Sequence, residues 1–359
     1  MAIAEAKEEA VYEVEAVAPG KVILFGEHAV VHGKPGIAAA AGIYTTVEAG
    51  KAYEGIEIDA GEFGIARISF TELDNLMNRV YELRDAYNLD KSKEKPASKE
   101  IRKMTESNKL IPCLVAVAEI GEDYGHKPFR ARINSAVTKN LGSSASVSAG
   151  LVAAVSELFG RNFSKEEIIY YANEAERSVH VTPSGIDANT VTHGGYLVKT
   201  GRSIEHLTID FEFPLIIVNS GEAAKTSEMV EKVWKIKDTQ PKMFEETMKK
   251  AENIASTALS VIGAKDLEKI GRLMNLYYKA LSEFDISTEK LDDIVETSMK
   301  KGALGAKPTG GWGGGSCIVL AKDDGQRVKL IQEFENDGYD AFTVRLGVPG
   351  VAVKRLDSS

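Results

Sequence analysis

The apolar positions of the chain fall into two rhythms, and each predicts its own kind of element. Residues 11–24 alternate and then turn continuously apolar through Val22-Ile23-Leu24-Phe25, the mark of a strand or two interrupted at Pro19-Gly20. The small-residue run Ile37–Gly42, the β-rich stretch Ile43–Ala49, and two short strands around Gly61 within 54–70 extend this sheet-rich beginning. The rhythm then becomes helical. Leu73, Leu76, Met77, Val80 and Leu83 share one face, 110–120 forms an apolar helix, and 129–134 is a short strand. Leu151, Val152, Val155, Leu158 and Phe159 predict a helix over 146–160, stopped by Gly160. Ser164-Lys-Glu-Glu167 reads as a capping box opening a second helix to about Ser178. Val181–Asp187 reads as a turn and 194–199 as a strand. Beyond residue 200 the pattern changes. A strand at 213–219 precedes long helices near 226–262, 264–283 and 288–301. A strand at 317–321, a helix at 326–336 and strands at 340–345 and 350–355 close the chain. The change of pattern places a domain boundary near residue 200, giving domains 1–200 and 201–359.

Composition narrows the class. A chain of 359 residues with 43% hydrophobic and 27% charged content has the balance of one large or two ordinary globular domains. No apolar run approaches the roughly 18 residues that a membrane helix needs. The acidic start MAIAEAKEEA lacks the basic-then-apolar order of a signal peptide. Cys113 and Cys317, both in apolar surroundings, read as buried thiols of a reducing compartment, so a cytoplasmic location is expected. A net charge of −9 argues against nucleic acid as a partner. Residues 90–107, charged and poor in apolar side chains, read as an exposed loop or insertion.

The candidate chemistry centres on Lys139-Asn-Leu-Gly-Ser-Ser-Ala-Ser-Val-Ser148, a glycine-serine turn running into an apolar helix. The first N–H groups of a helix lack partners and carry the positive end of its dipole, so such a start suits an anion such as phosphate. Ser143 or Ser144 can cap the helix, touch a phosphate oxygen or hold a magnesium ion. Two further glycine-rich turns occur at 19–36 and 305–315. There is no Gly-x-x-x-x-Gly-Lys-[Ser/Thr], because Pro35 follows Gly33-Lys34, and no strand-bound Gly-x-Gly-x-x-Gly with a trailing acid.

The order and content of these turns carry a resemblance. Pro19-Gly-Lys-Val-Ile-Leu-Phe-Gly-Glu-His-Ala-Val-Val-His-Gly33 resembles the first motif of the mevalonate kinase family, within the GHMP small-molecule kinases. Asn140-Leu-Gly-Ser-Ser-Ala145 is similar to the phosphate-binding motif, Pro183-Ser-Gly-Ile-Asp187 to the stretch with the family's aspartate, and Lys307-Pro-Thr-Gly-Gly-Trp-Gly-Gly-Gly315 to the third motif. The resemblance implies an α+β fold of two domains. The first would be ribosomal-S5-domain-2-like with a left-handed β-α-β crossover, and the second ferredoxin-like, with ATP and substrate in the cleft between. The implied activity is ATP- and magnesium-dependent phosphorylation of the 5-hydroxyl of mevalonate. ATP and mevalonate are the implied partners, and a homodimer is the assembly the family suggests.

The resemblance also implies roles. Asp187 and Lys21 would flank the substrate hydroxyl. An alcohol's pKa lies near that of water, about 15.7, and an aspartate's near 3.9. The gap of roughly 12 units is about 16 kcal/mol. Asp187 therefore orients the hydroxyl and takes its proton late, once the oxygen has begun to bond to phosphorus, while Lys21 stabilises developing negative charge. Glu27, His28 and Thr226 would line the substrate site, Thr226 standing just before a helix. Asn140, Leu141, Gly142, Ser143, Ser144, Ala145, Ser146, Gly310 and Gly311 would bind the phosphates. Ser144 and Glu176, the latter eleven residues before Asp187, would hold magnesium through oxygen atoms. His180 has a family counterpart without a clear role. The chain departs from the pattern at Asn140, which replaces a glycine and tolerates left-handed angles, at Trp312, which replaces another, and at Ser316, where cysteine is usual. For Trp312 three placements stay open: over the substrate pocket, shielding the phosphates, or packed between domains. The first would keep a sister kinase, acting on phosphomevalonate or the mevalonate 3-hydroxyl, in play.

Overall fold

Pro19-Gly20 bends the first strand without ending it. In the computed structural model, which describes residues 11–89, 100, 103–104, 107–178 and 183–357, β1 runs unbroken over Val14–Phe25. Its register against β2 (Gly36–Lys51) shifts at Pro19/Gly20 and again at Ile23/Phe25. Such bulges give a strand local twist while the ladder continues. The two stretches expected between 37 and 49 are one strand of sixteen residues.

β2 is long enough to serve three neighbours. Most of it, between Ile37 and Ala49, pairs with β1, its second half with β5 (Phe129–Ser135), and its first residues with β6 (Tyr196–Thr200). With β3 (Ile56–Asp59), β4 (Ile65–Ile68), β7 (Ser203–Leu207) and β12 (Ala352–Arg355) this makes an eight-stranded sheet. β3 lies parallel to β5, and the other pairs are antiparallel. A cut at residue 200 falls inside the β6–β7 hairpin, and the chain returns to this sheet with its last strand. The second sheet is antiparallel in the order β11 (Asp340–Thr343), β8 (Leu215–Asn219), β10 (Ser316–Leu320), β9 (Gly305–Pro308). That order, with helices between β8 and β9 and between β10 and β11, is the ferredoxin-like arrangement expected of the second domain.

The helices follow the apolar faces closely. Phe70–Leu89, Ile111–Tyr124 and Ser143–Leu158 form where the spacing predicts them, and Ser164 and Glu167 make the full capping box of Lys165–Arg177. The expected helix at 226–262 is two, Thr226–Thr239 and Pro241–Gly263. Pro241 takes the first position of the second, where its missing N–H costs nothing. Ile186–His193 is a helix that the turn reading of 181–187 does not foresee. The expected loop at 90–107 falls mostly outside the described residues, as does His180.

Helix Ser143–Leu158 packs its small-residue face on β1 and β2 and its far side on helices Ile111–Tyr124 and Lys165–Arg177. A second apolar core crosses the interface between the sheets. Val22, Leu24, Phe25 and Leu141 from the first half join Ile216–Val218, Tyr277, Trp312 and Ile318–Leu320 from the second. The halves therefore meet through packed apolar side chains as well as across a cleft. No helix among the described residues is long and apolar enough to cross a membrane.

Candidate active site

Three glycine turns far apart in sequence meet at this interface. The first follows β1 as a 3-10 turn over Ala29–His32, the second opens helix Ser143–Leu158, and the third joins β9 to β10. Their contacts are specific. The Thr309 hydroxyl donates to the Ile23 carbonyl at 3.1 Å and accepts from the Ile23 N–H at 3.3 Å, so a side chain extends a strand edge across the interface. His28 Nε2–H donates to the Gly311 carbonyl at 3.2 Å. Gly310 and Gly315 pack against Asn140.

Gly142 is the junction of the site. It sits in the left-handed region (φ 85°, ψ 28°) and opens its helix without a side-chain cap. A Cβ at Gly142 would stand 2.6 Å from Lys21 Cγ, so the lysine stem crosses directly over the turn. Lys21, buried in β1, ends 3.1 Å from Asp187 Oδ1. Asp187 is the second residue of helix Ile186–His193, which left-handed Gly185 introduces, and its side chain keeps 27% exposure. Glu176, on the last turn of helix Lys165–Arg177, is in electrostatic reach of both. Burial and the neighbouring Asp187 charge push its carboxyl up to about 8, against the opposing pull of Lys21. Ser143 and Ser144, next after Gly142, line a cavity of about 880 Å³. Tyr44, Phe63, Leu110 and Pro112 form apolar walls, and Lys225 and Thr226 contribute from the second half.

The phosphate-motif residues divide when placed in space. Asn140 does not use the left-handed backbone it would tolerate; the left-handed residue of the turn is Gly142. Asn140 is buried with its Nδ2 unpartnered among the described residues. Leu141 and Ala145 bury their side chains in the core, leaving only main-chain groups for a ligand. Ser146 is turned away from the cavity. Its hydroxyl bonds the Ala18 carbonyl at 3.0 Å and the Thr45 hydroxyl at 2.9 Å, and its N–H donates to Gly142. Ser146 thus fastens the helix to the sheet, and its hydroxyl and N–H are already in use. Gly310 (φ 84°) and Gly311 lie in the β9–β10 turn. A Cβ at Gly311 would meet Thr226 Cγ2 at 2.4 Å. Thr226 is the first helical residue and makes no side-chain cap, unlike the residue just ahead of a helix that the sequence suggested.

Glu27 and His28 are both enclosed. Glu27 pairs with Lys307, and neither side chain has solvent exposure. Burial dominates both partners, raising the carboxyl and lowering the ammonium against their mutual attraction. Glu27 Oε2 has no partner among the described residues, and the Glu27 carbonyl accepts from the Tyr277 hydroxyl at 3.0 Å. His28, at φ 59°, is held neutral, with burial lowering its pKa to about 4. Its bond to Gly311 fixes the Nε2–H tautomer and leaves Nδ1 as an acceptor. Trp312 is fully buried beside Tyr278 at 5.7 Å between ring centroids and does not line the cavity. Sequence reasoning gave no role to Lys307 or Thr309. Both stand inside the third motif, but a lysine in a strand of small residues does not announce a buried partner 280 positions away.

The oxygen donors of Glu176 and Ser144 are compatible with magnesium. Glu176 and Ser144 offer oxygen only, and a buried carboxyl pushed up by a second carboxylate is one that a cation would ionise. Among the described residues no group of three or more His, Cys, Asp or Glu gathers to form a cage. A magnesium ion bound largely through nucleotide phosphates needs few protein ligands.

Comparison with known proteins adds independent findings. The family model for the GHMP kinases N terminal domain matches residues 110–195, and that for the GHMP kinases C terminal matches 256–340. The mevalonate kinase of Pyrococcus furiosus is 32% identical over 326 residues, covering 88% of this chain and 91% of that protein. The Methanocaldococcus jannaschii mevalonate kinase is 28% identical, covering 91% and 98%. Among solved structures, the Methanococcus jannaschii mevalonate kinase superposes with TM-score 0.72 at 25% identity, covering 94% of this chain and 99% of that one. The L. major mevalonate kinase in complex with R-mevalonate gives 0.70 at 25% identity, covering 98% and 100%.

Proposed function

Since this chain belongs to the mevalonate kinase family of GHMP kinases, we propose that it transfers the γ-phosphoryl group of ATP to the 5-hydroxyl of mevalonate, giving 5-phosphomevalonate for isoprenoid synthesis. The observation that carries the reading is the Lys21–Asp187 pair, 3.1 Å apart and laid over the Gly142 turn beside a cavity of nucleotide size. Asp187 is exposed enough to accept a hydrogen bond from a substrate alcohol, while Lys21 is fixed by burial. Asp187 orients the hydroxyl and takes its proton as the new O–P bond forms. Lys21 meets the charge growing on the transferred group. The unpaired N–H groups of the uncapped helix start face phosphate oxygens. His28 supplies Nδ1 to a substrate hydroxyl, with Glu27 and Lys307 fixing the turn that carries it. Thr226 closes the site from the second half. Glu176 and Ser144 would hold magnesium, which supplies charge neutralisation and orientation of the phosphates when bound.

Trp312 lends no support to a sister activity, because its ring packs inside the protein. The division into two domains, with the β6–β7 hairpin and β12 counted with the first sheet, belongs to the same proposal. So do a cytoplasmic location and a homodimer, the latter checked by light scattering. The test is ADP release with ATP and magnesium, comparing mevalonate, phosphomevalonate, homoserine and galactose. Turnover on mevalonate alone is expected, with product NMR placing phosphate on the 5-oxygen. Asp187→Asn should lower kcat by about 10²–10⁴-fold, the usual range for a positioned proton acceptor. Turnover confined to another acceptor would overturn the substrate assignment.

A further inference from the structure

Ser148 is an anomaly within its helix. Its residue is 1% exposed, it lines the cavity, and its hydroxyl has no hydrogen-bond partner among the described residues. A buried hydroxyl without a partner is costly, and a serine within a helix commonly avoids this by bonding back to a carbonyl one turn earlier. Thr190 in the neighbouring helix does so, donating to the Ile186 carbonyl at 2.6 Å. Ser148 does not. It stands four residues after Ser144, about 6 Å further along the same helix face at 1.5 Å per residue. Val147, which also lines the cavity, lies beside it.

The walls around this position suit one part of a nucleotide. The helix start with Ser143 and Ser144 offers N–H groups to phosphate. The same cavity has apolar walls from Tyr44, Leu110, Pro112 and Val147. A flat aromatic base fits between such walls, and its polar edge then needs hydrogen-bonding groups at fixed points. Resting on the reading of the cavity as the ATP site, we infer that Ser148 is a specificity-determining residue that hydrogen-bonds the purine edge of the bound nucleotide. The hydroxyl is left unpaired in the free protein and is satisfied by the base. A site built to hydrogen-bond a ligand discriminates against analogues that leave its polar group unpaired.

The test is steady-state kinetics of the full chain with ATP and with GTP at saturating mevalonate and magnesium, for wild type and Ser148→Ala. Thermal melts of both proteins without nucleotide accompany it. The expected result is a KM for ATP raised by about 3–10-fold, the range of one neutral hydrogen bond. The kcat should stay within about twofold, and the ratio of kcat/KM for ATP over GTP should fall. The ligand-free variant should melt no lower than wild type, because the substitution removes an unpaired group. An unchanged KM and unchanged ATP/GTP ratio would overturn the inference while leaving the kinase reading intact. A variant that melts lower without nucleotide and loses ATP and GTP turnover equally would overturn it too, making Ser148 a packing residue. Wild type with neither turnover nor a nucleotide-induced rise in melting temperature would overturn the kinase reading and this inference together.

Discussion

Lys21 and Asp187 show how little of the site a single residue carries. Each is an ordinary charged residue until Gly142 lets the lysine stem pass and Gly185 turns the aspartate toward it. His28 gives the clearest residue-scale prediction. Its pKa lies near 4 in the fold and near 6.5 when unfolded, so the unfolded chain binds more protons between those values. Its contribution to stability is full above pH 6.5 and is lost as pH falls toward 4. At about 1.4 kcal/mol per unit, the loss is on the order of 3 kcal/mol. His32, likewise lowered to about 4 by burial, adds to the same slope. Urea unfolding at pH 7 and pH 4.5 should show this loss, and His28→Gln should flatten part of it. An unchanged slope would mean that the imidazole is not buried neutral. Lys307 gives a second prediction. Lys307→Met strands the Glu27 carboxylate and should cost about 3–5 kcal/mol at pH 7, less at lower pH where Glu27 takes up a proton. The double variant Glu27→Met, Lys307→Met should recover most of that stability, as apolar replacements of buried ion pairs commonly do. Failure to recover would point to a further partner for the pair.

Elements decide where these side chains stand. Helix Ser143–Leu158 begins one residue after a left-handed glycine, and its small residues Ser146 and Gly150 let it lie close to the strands. Gly142→Ala forces a side chain into the left-handed region, costing about 1–2 kcal/mol, and pushes Lys21 aside. We expect kcat to fall by more than the stability loss implies, because the lysine moves while the fold survives; equal losses in melting and activity would show that only the turn matters. Trp312 is the opposite case. It occupies φ 59° inside the β9–β10 turn, yet its indole fills the core beside Tyr278. Trp312→Gly relieves the backbone but empties a large site, so a net loss of a few kcal/mol is expected from the void, with KM for mevalonate nearly unchanged. A raised KM at unchanged stability would return the indole to the substrate site. Helix Ile186–His193 was hidden for a related reason. Thr190, Val191 and Thr192 are weak helix formers, and burial of nearly every residue overrides that preference.

For the molecule as a whole, the interface is the organising feature. An apolar core, the Thr309–Ile23 bonds, the buried Glu27–Lys307 pair and the Lys34–Glu252 bridge at 3.3 Å tie the two sheets together. Calorimetry should therefore record one cooperative transition, raised by ATP with magnesium through binding to the folded form alone. Two separated transitions would show that the sheets melt independently.

The sequence by itself determined the elements whose cause is local. Apolar spacing marked helices at 110–120 and 146–160, which form at 111–124 and 143–158, Ser164 and Glu167 spelled out the cap of the next helix, and the motif order identified the three glycine turns as one constellation. It could not show that the residues of one motif point different ways. Ser143 and Ser144 line the cavity while Ser146, two positions on from Ser144, bonds to the sheet; the rotation of about 200° between those two has effect only when something lies on each side. Lys307 found Glu27 and Trp312 turned inward because the two sheets closed on one another, and among the described residues Ser148 has no partner beside the cavity. Those outcomes depend on which surfaces exclude water, and that is settled only when the chain is folded.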